Sequence, residues 1–328
     1  MHIGRYYTLR EFLLWTRRDI FKLLVLAILP LALFKFAGFT WIAIPWVPVA
    51  LIGTAAAFIV GFKNTQTYNR LWEARQIWGG IVNTSRTLGI MVHDFVQADK
   101  EIRRQIILRH CAWLNALRYQ LRKPQPWETA SLPHNLEYRR YFTVPEWKEE
   151  LEDVLKHYLI AGEDLYISGK KNKATQILAL QGKHLAALKS EGKIGAFEYV
   201  ELERRLADLY EHQGKCERIK NFPYPRQFAS INLFFCWLFA AMLPLGMLNE
   251  FNKLGGQFIW LSIPFSVLVG WVFTSMEKVG EATENPFEGN ANDTPMASMC
   301  RTIEIDLLDM MDEPVLPEPL KAENHILM

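Results

Sequence analysis

Phe36-Ala-Gly-Phe-Thr-Trp-Ile-Ala-Ile-Pro-Trp-Val-Pro-Val-Ala-Leu-Ile-Gly-Thr-Ala-Ala-Ala-Phe-Ile-Val-Gly-Phe62 runs for 27 residues without a charge. A helix needs about 18 to 20 such residues to cross a hydrocarbon core of about 30 Å. Just upstream, residues 20–34 carry only Lys22. Residues 227–249 are uncharged between Arg226 and Glu250, and residues 254–276 are uncharged after Lys253. The pattern predicts four membrane spans, near residues 20–36, 45–62, 228–248 and 257–276. Four buried helices of a soluble core are the alternative, but such helices seldom stay uncharged for so long. Arg17, Arg18 and Lys22 precede an apolar run as they would in a signal peptide. No small-x-small site follows it and a second span begins at once, so the reading is a retained helix.

The whole chain has 328 residues, 37 basic against 35 acidic, for a net charge of +2. That balance excludes a general nucleic-acid binder held by bulk charge. Four cysteines exclude a disulfide scaffold. Arg5, Arg10, Arg17 and Arg18 precede the first span, and Lys63, Arg70 and Arg75 follow the second. The loops between paired spans carry only Lys35 and Lys253. The positive-inside rule then places both termini and the middle of the chain in the cytoplasm. The expected organisation is a cytoplasmic segment (1–19), a membrane hairpin (20–62), a cytoplasmic helical domain (63–226), a second hairpin (227–276), a cytoplasmic loop and helix (277–312) and a tail (313–328).

No period-two strand pattern persists in the middle region, so the fold class is all-α. Ile102, Ile106, Ile107, Cys111, Trp113, Leu114 and Leu117 form a helical stripe over residues 99–122. Thr143 and Glu146 suggest a capping box before a helix over 147–160. Further helices are expected over 173–190 and 197–219. Pro124, Pro126 and Pro133 mark a loop, as do Pro223 and Pro225. The tail, with Pro314, Pro317 and Pro319, is expected to be extended on the surface or disordered.

Catalytic signals are weak. Gly162, Gly169 and Lys170 lack the spacing and the following hydroxyl of a phosphate loop. The eight histidines form no His-x-x-x-His pair, and the four cysteines no Cys-x-x-Cys. Each cysteine reads as a small buried hydrophobe. No metal site is expected. Five carboxylates and three asparagines lie between residues 277 and 295 and suit a hard cation in type. They lack the order of an EF-hand loop, and a polar turn before a helix capped by Thr294 with Pro295 at its first position is the simpler reading.

The second span carries the most informative pattern. Gly53, Ala55, Ala56, Ala57 and Gly61 let neighbouring helices approach closely. Thr54, Phe58 and Phe62 are four apart, and each step turns only about 40° round a helix, so they form one stripe. Around an axis of several copies, that stripe would stack apolar rings into a gate that closes by dewetting. Lipid-facing or helix-packed phenylalanines are the competing reading. No proline occurs between Pro48 and Pro124, so a helix of about 70 Å over residues 48–96 is expected, a stalk into the cytoplasmic helices. Glu73 on that stalk can pair with Arg70 or with a neighbouring helix.

Gly61-Phe62-Lys63-Asn64, Tyr68, Arg70, Glu73-Ala74 and Trp78-Gly79 form one signature. Asn285-Pro286-Phe287, then Asn292-Asp293 and Pro295, form a second. Together they resemble the paired signatures of bestrophins, most of all the bacterial branch, and the resemblance extends to about Met311. It implies a homopentameric ion channel with a narrow neck at Thr54, Phe58 and Phe62 and a second, cytoplasmic aperture, which maps to Phe197. Thr54 departs from the aliphatic residue common in the family, which would make the outer ring slightly more polar. Animal members are gated by calcium through an acidic clasp. Here Pro286-Phe287-Glu288-Gly289 leads into Asn290-Ala291-Asn292-Asp293 without the run of aspartates, so no cofactor is expected and calcium gating is in doubt.

The resulting expectation is a channel and not an enzyme: passive conduction of chloride or other small ions, in a lipid membrane such as a bacterial inner membrane, with other copies of itself as partners and no nucleic acid. A cation-selective channel of the same family is the first alternative. A membrane-anchored enzyme or receptor scaffold is the second, and it would require titratable residues clustered in a cytoplasmic cleft.

Overall fold

The computed structural model of the chain describes residues 1–328 and is all-helical. Its helices are α1 (Leu9–Phe36), α2 (Trp46–Phe95), α3 (Lys100–Arg122), α4 (Pro133–Tyr138), α5 (Leu151–Leu155), α6 (Glu163–Ser168), α7 (Lys173–Ser190), α8 (Ala196–Asn221), α9 (Arg226–Lys253), α10 (Ser262–Thr283) and α11 (Met296–Asp309). Two isolated bridges, His2 with Ile326 and Glu323 with Ile326, are the extent of β-structure. The chain divides into two units. An apolar unit comprises Arg5–Arg70 and Pro223–Asn285; a helical-core unit comprises Met1–Gly4, Leu71–Phe222 and Pro286–Met328.

In the apolar unit, α1, α9 and α10 pack together with the first half of α2. Helix α1 starts at Leu9, eleven residues before the expected span. Thr8 and Glu11 form the reciprocal capping box that starts it, a Thr-x-x-Glu signal legible in the sequence and overlooked there. Three helical segments are long and apolar enough to cross a membrane: Thr40–Phe95, Arg226–Lys253 and Ile259–Thr283. Helix α1 falls short because Asp19, Lys22 and Lys35 interrupt it. Small residues set the contacts. A Cβ on Gly53 would lie 2.6 Å from the Phe239 ring, and one on Gly270 would lie 2.7 Å from Leu23.

The second half of α2 belongs to the helical-core unit, and the helix passes the boundary at residues 70 and 71 unbroken. Its 50 residues make about 75 Å. Buried Trp78, Ile81, Leu88 and Val92 on α2 join Trp113, Leu114 and Leu117 of α3, with α7, α8 and α11 contributing Leu185, Leu209 and Ile303. The residues expected as a helix over 147–160 are broken up instead. A 3₁₀ turn covers Pro145–Trp147 and α5 spans only five residues. Glu146 is not a cap: it turns inward to Arg118, so the capping box cannot form. Helix α11 is capped by Pro295, one residue beyond the expected Thr294. The tail is ordered at its end, where Ile326 and Met328 pack on Phe142 and Val144.

Phe239 also stacks on Phe273, with centroids 4.6 Å apart, and so cannot retreat from a larger residue at position 53. Gly53→Val is expected to destabilise the apolar unit by about 1–3 kcal/mol, read as a lower melting temperature of the purified protein in detergent.

Candidate functional site

On α2 the faces divide cleanly. Val49, Gly53, Ala56 and Val60 are buried against the unit, while Thr54, Phe58 and Phe62 lie on an exposed face. Phe58 is 76% exposed and Phe62 is 44% exposed, with its ring 6.2 Å from that of Phe228. The Thr54 hydroxyl donates to the Ala50 carbonyl at 2.9 Å, so its polarity is already used within the helix. That geometry weakens the expectation of a more polar ring at this level. Phe197 lies in the first turn of α8 and is 87% exposed.

Behind the stripe sits a buried charge network. Lys63 is buried and its ammonium donates to Glu277 at 3.0 Å, with Glu284 at 3.5 Å. Glu284 also pairs with Arg226. Glu277 accepts from Asn232 as well, at 3.4 Å. Asn64 donates to the Met276 carbonyl at 3.1 Å, and a Cβ on Gly280 would meet its Oδ1 at 2.3 Å. The Gly61-Phe62-Lys63-Asn64 signature therefore places one exposed ring beside two side chains that lock α2 to α10. Gly61 itself has nothing within 4 Å of a Cβ position.

The remaining signature residues are structural in their contacts. Glu73 pairs with Arg218 on α8 at 2.5 Å, the second of the two partnerships the sequence allowed. Trp78 is fully buried, and Gly79 has open space at its Cβ position. Asn285, Pro286, Phe287 and Asp293 are all buried, Phe287 in the left-handed region at φ 73°. Asp293 closes the loop. It accepts from the backbone N–H groups of Phe287 (2.8 Å), Gly289 (2.7 Å) and Thr294 (2.6 Å), and from Arg122 at 2.6 Å. Arg122 lies 3.5 Å from Glu146, which Arg118 pairs at 2.8 Å.

Sequence reasoning missed Arg118 and Arg122, and the buried roles of Glu146 and Glu288. The available signal was two arginines, Arg118 and Arg122, within the apolar second half of α3; their partners, lying in distant segments, were not legible. Glu288 is buried and accepts from the Thr129 N–H and hydroxyl (2.9 and 2.8 Å) and from Asn290. Burial nevertheless dominates and pushes its carboxyl up to about 8. The four cysteines are free and buried, as expected of small hydrophobes. One Ser–His contact, His110 with Ser85 at 2.8 Å, is buried in the core. The Ser85 hydroxyl donates to the Ile81 carbonyl and cannot also be activated by His110. Burial pushes His110 down to about 3, so it stays neutral as a packing group.

Membrane-length helices and an uncovered apolar stripe on the longest of them define a helical membrane protein. The family model described as Bacterial/Fungal Bestrophin protein matches residues 17–309, and the chain belongs to that family. It is 30% identical over 284 residues to the voltage-dependent anion channel-forming protein YneE of Escherichia coli K12, covering 85% of this chain and 81% of that one. A voltage-dependent anion channel-forming protein of Mesorhizobium japonicum is 25% identical over 276 residues, covering 84% and 78%. The crystal structure of a bestrophin homolog from Klebsiella pneumoniae superposes with a TM-score of 0.76 at 25% identity, over 90% of this chain and 98% of that one.

Two outcomes follow from the loop. Asp293→Asn breaks a buried pair and should cost about 3–5 kcal/mol, seen as a lower melting temperature. For Glu288 the sign is set by a folded-state pKa raised from 4.5 to about 8. The folded state then holds more protons than the unfolded state between those values, so this group's contribution to stability falls as pH rises from about 4.5 to 8. Melting temperatures across that range should decline less in Glu288→Gln than in the wild type.

Proposed function

We propose that the chain assembles as a homopentamer around one axis and conducts small anions, chloride foremost, through a neck lined by Thr54, Phe58 and Phe62. One observation carries this reading. The stripe is uncovered within its own chain, while the opposite face of the same helix is committed to packing by Gly53, Ala56 and Val60. Side chains this apolar and this exposed need another partner, whether lipid or a second copy. Two signature residues, Lys63 and Asn64, hold the stripe's inner end in place, which suits a ring whose diameter must be reproducible. The relatives' names as anion channels support the choice of ion.

In this reading an anion sheds part of its water to pass apolar rings, and selectivity follows ease of dehydration without a charged filter. The chain acts as a channel and not as an enzyme. Phe197, exposed at the start of α8, forms the second constriction. Helix α1 is the fourth span despite its charges. Asp19 pairs with Lys278 at 2.7 Å, and Lys22 and Lys35 sit over the rings of Trp237 and Trp260 at 5.1 and 5.3 Å, arrangements that reduce the cost of charge in lipid. Both termini and the helical-core unit lie in the cytoplasm of a bacterial inner membrane.

Calcium is not needed as a cofactor. In the loop that would form a clasp, each Asp293 oxygen already accepts two donors, and the Arg122 guanidinium supplies the positive charge. Calcium at millimolar concentration, or a chelator, should leave both the melting temperature and the current unchanged.

Replacing Phe58 and Phe62 together by alanine tests the neck. Five copies widen at once, and a neck that no longer dewets should give a larger current that depends less on stimulus. The pentamer should persist, because lumen-facing residues contribute little packing. If the two rings were instead packed between helices, each change would open a cavity costing about 3–5 kcal/mol. A double variant that fails to assemble, or assembles with unchanged conductance, refutes the assignment.

A further inference from the structure

Positions 10, 14, 17 and 21 of α1 fall within about 60° of one another round the helix. Arg10, Leu14, Arg17 and Phe21 occupy them, and all four are exposed. The opposite face is packed. Thr16, Leu23 and Ala27 are buried there; Thr16 accepts from the Trp271 indole at 2.9 Å, and Leu23 lies 2.7 Å from where a Cβ on Gly270 would be. After Phe21 the exposed face continues as Val25, Ile28 and Leu29, side chains that acyl chains would cover. Before Phe21 the face does not turn wholly polar, as that of a water-facing helix would. Leu13 and Leu14 stay exposed, with Arg10 on one side of them and Arg17 and Arg18 on the other.

Charge along this stretch is one-sided. Residues 5–22 hold Arg5, Arg10, Arg17, Arg18 and Lys22 against Glu11 and Asp19. Both acids are engaged within the fold. Glu11 accepts from the Thr8 N–H and hydroxyl, each at 2.7 Å, and Asp19 accepts from Lys278 at 2.7 Å. The four arginines are exposed. A guanidinium presents a fork that matches two oxygens of a phosphate, and its stem lies readily along apolar surface. An apolar face that ends in arginines fits a molecule with apolar chains joined to a negative phosphate group. An acidic protein or a free phosphate would match the arginines and leave residues 21–29 uncovered.

We propose that the exposed face of α1 is a binding surface for an anionic phospholipid, its phosphate held by Arg10, Arg17 and Arg18 and its acyl chains lying along Phe21, Val25 and Ile28. The inference rests on the reading of α1 as a membrane span. It adds a chemical preference that spanning alone does not require. A zwitterionic lipid carries its own ammonium, which competes with the arginines for the phosphate; an anionic lipid does not. The surface is independent of the ion conducted, because lipid binding is read without current.

The test titrates phosphatidylglycerol, or phosphatidylcholine with the same acyl chains, into the full chain in detergent and counts bound lipid by native mass spectrometry. Wild type should bind phosphatidylglycerol more tightly. One arginine beside an anionic lipid is worth about fivefold in affinity, so Arg10→Gln/Arg17→Gln/Arg18→Gln should weaken phosphatidylglycerol by about a hundredfold and leave phosphatidylcholine little changed. Arg204→Gln removes an exposed arginine of α8 and should leave both affinities as they are. Equal affinities for the two lipids in wild type would overturn the proposal. So would a fivefold loss in Arg204→Gln, since the preference would then be that of any surface arginine. Should the triple variant fail to fold, Arg10→Gln alone is read against the same fivefold. Leu29→Cys separates the site from the span. The native cysteines are buried, so a water-soluble maleimide added to the protein in liposomes reports on residue 29. Labelling there would remove α1 from the membrane and the lipid surface with it. Protection at residue 29 without a preference for phosphatidylglycerol would overturn the site and leave the span standing.

Discussion

The structure depends on how the two faces of α2 are used. Gly53 brings it against Phe239 at a distance that leaves no room for a β-carbon, and Ala56 and Val60 are buried on the same face. Once one face is packed that tightly, helical geometry leaves Thr54, Phe58 and Phe62 no choice of direction. They must point away from the unit. In water such a face would be a liability; in a membrane assembly it becomes the place where copies of the chain, lipid or permeating ions meet. The same helix then continues without a break to Phe95.

Charge is handled by a second constraint. A charge in a low-dielectric setting must be paired or it will not stay ionised. The apolar unit meets that demand where its helices leave the uncharged runs: Lys63 with Glu277 and Glu284, Arg226 with Glu284, and Lys278 with Asp19. The helical-core unit repeats the arrangement around Asp293, which pairs with Arg122. These pairs locate helices more than they add net stability, because desolvation offsets much of the attraction.

Much of this was legible in the sequence because it is local. Uncharged runs gave the apolar helices, the proline-free interval gave the length of α2, and four-residue spacing placed Thr54, Phe58 and Phe62 together. Helix α7 was bounded correctly at both ends, since its periodicity begins after a capping asparagine and ends before Gly192. What was missed is non-local. Thr143 and Glu146 have the spacing of a capping box, but Arg118, 28 residues earlier, takes the carboxylate. Asp293 looked like one acid in a polar turn, and nothing nearby in sequence announces Arg122, 171 residues away. The start of α1 is different: the Thr8–Glu11 capping box is local and legible, and it lies outside the uncharged run that marks the expected span.

An axial pore of apolar rings that passes anions has one direct electrical signature. Purified protein in a planar bilayer, bathed by a tenfold gradient of potassium chloride, should show a current that reverses close to the chloride equilibrium potential. A current that reverses close to the potassium potential would contradict the account, and would make the neck a pathway for cations.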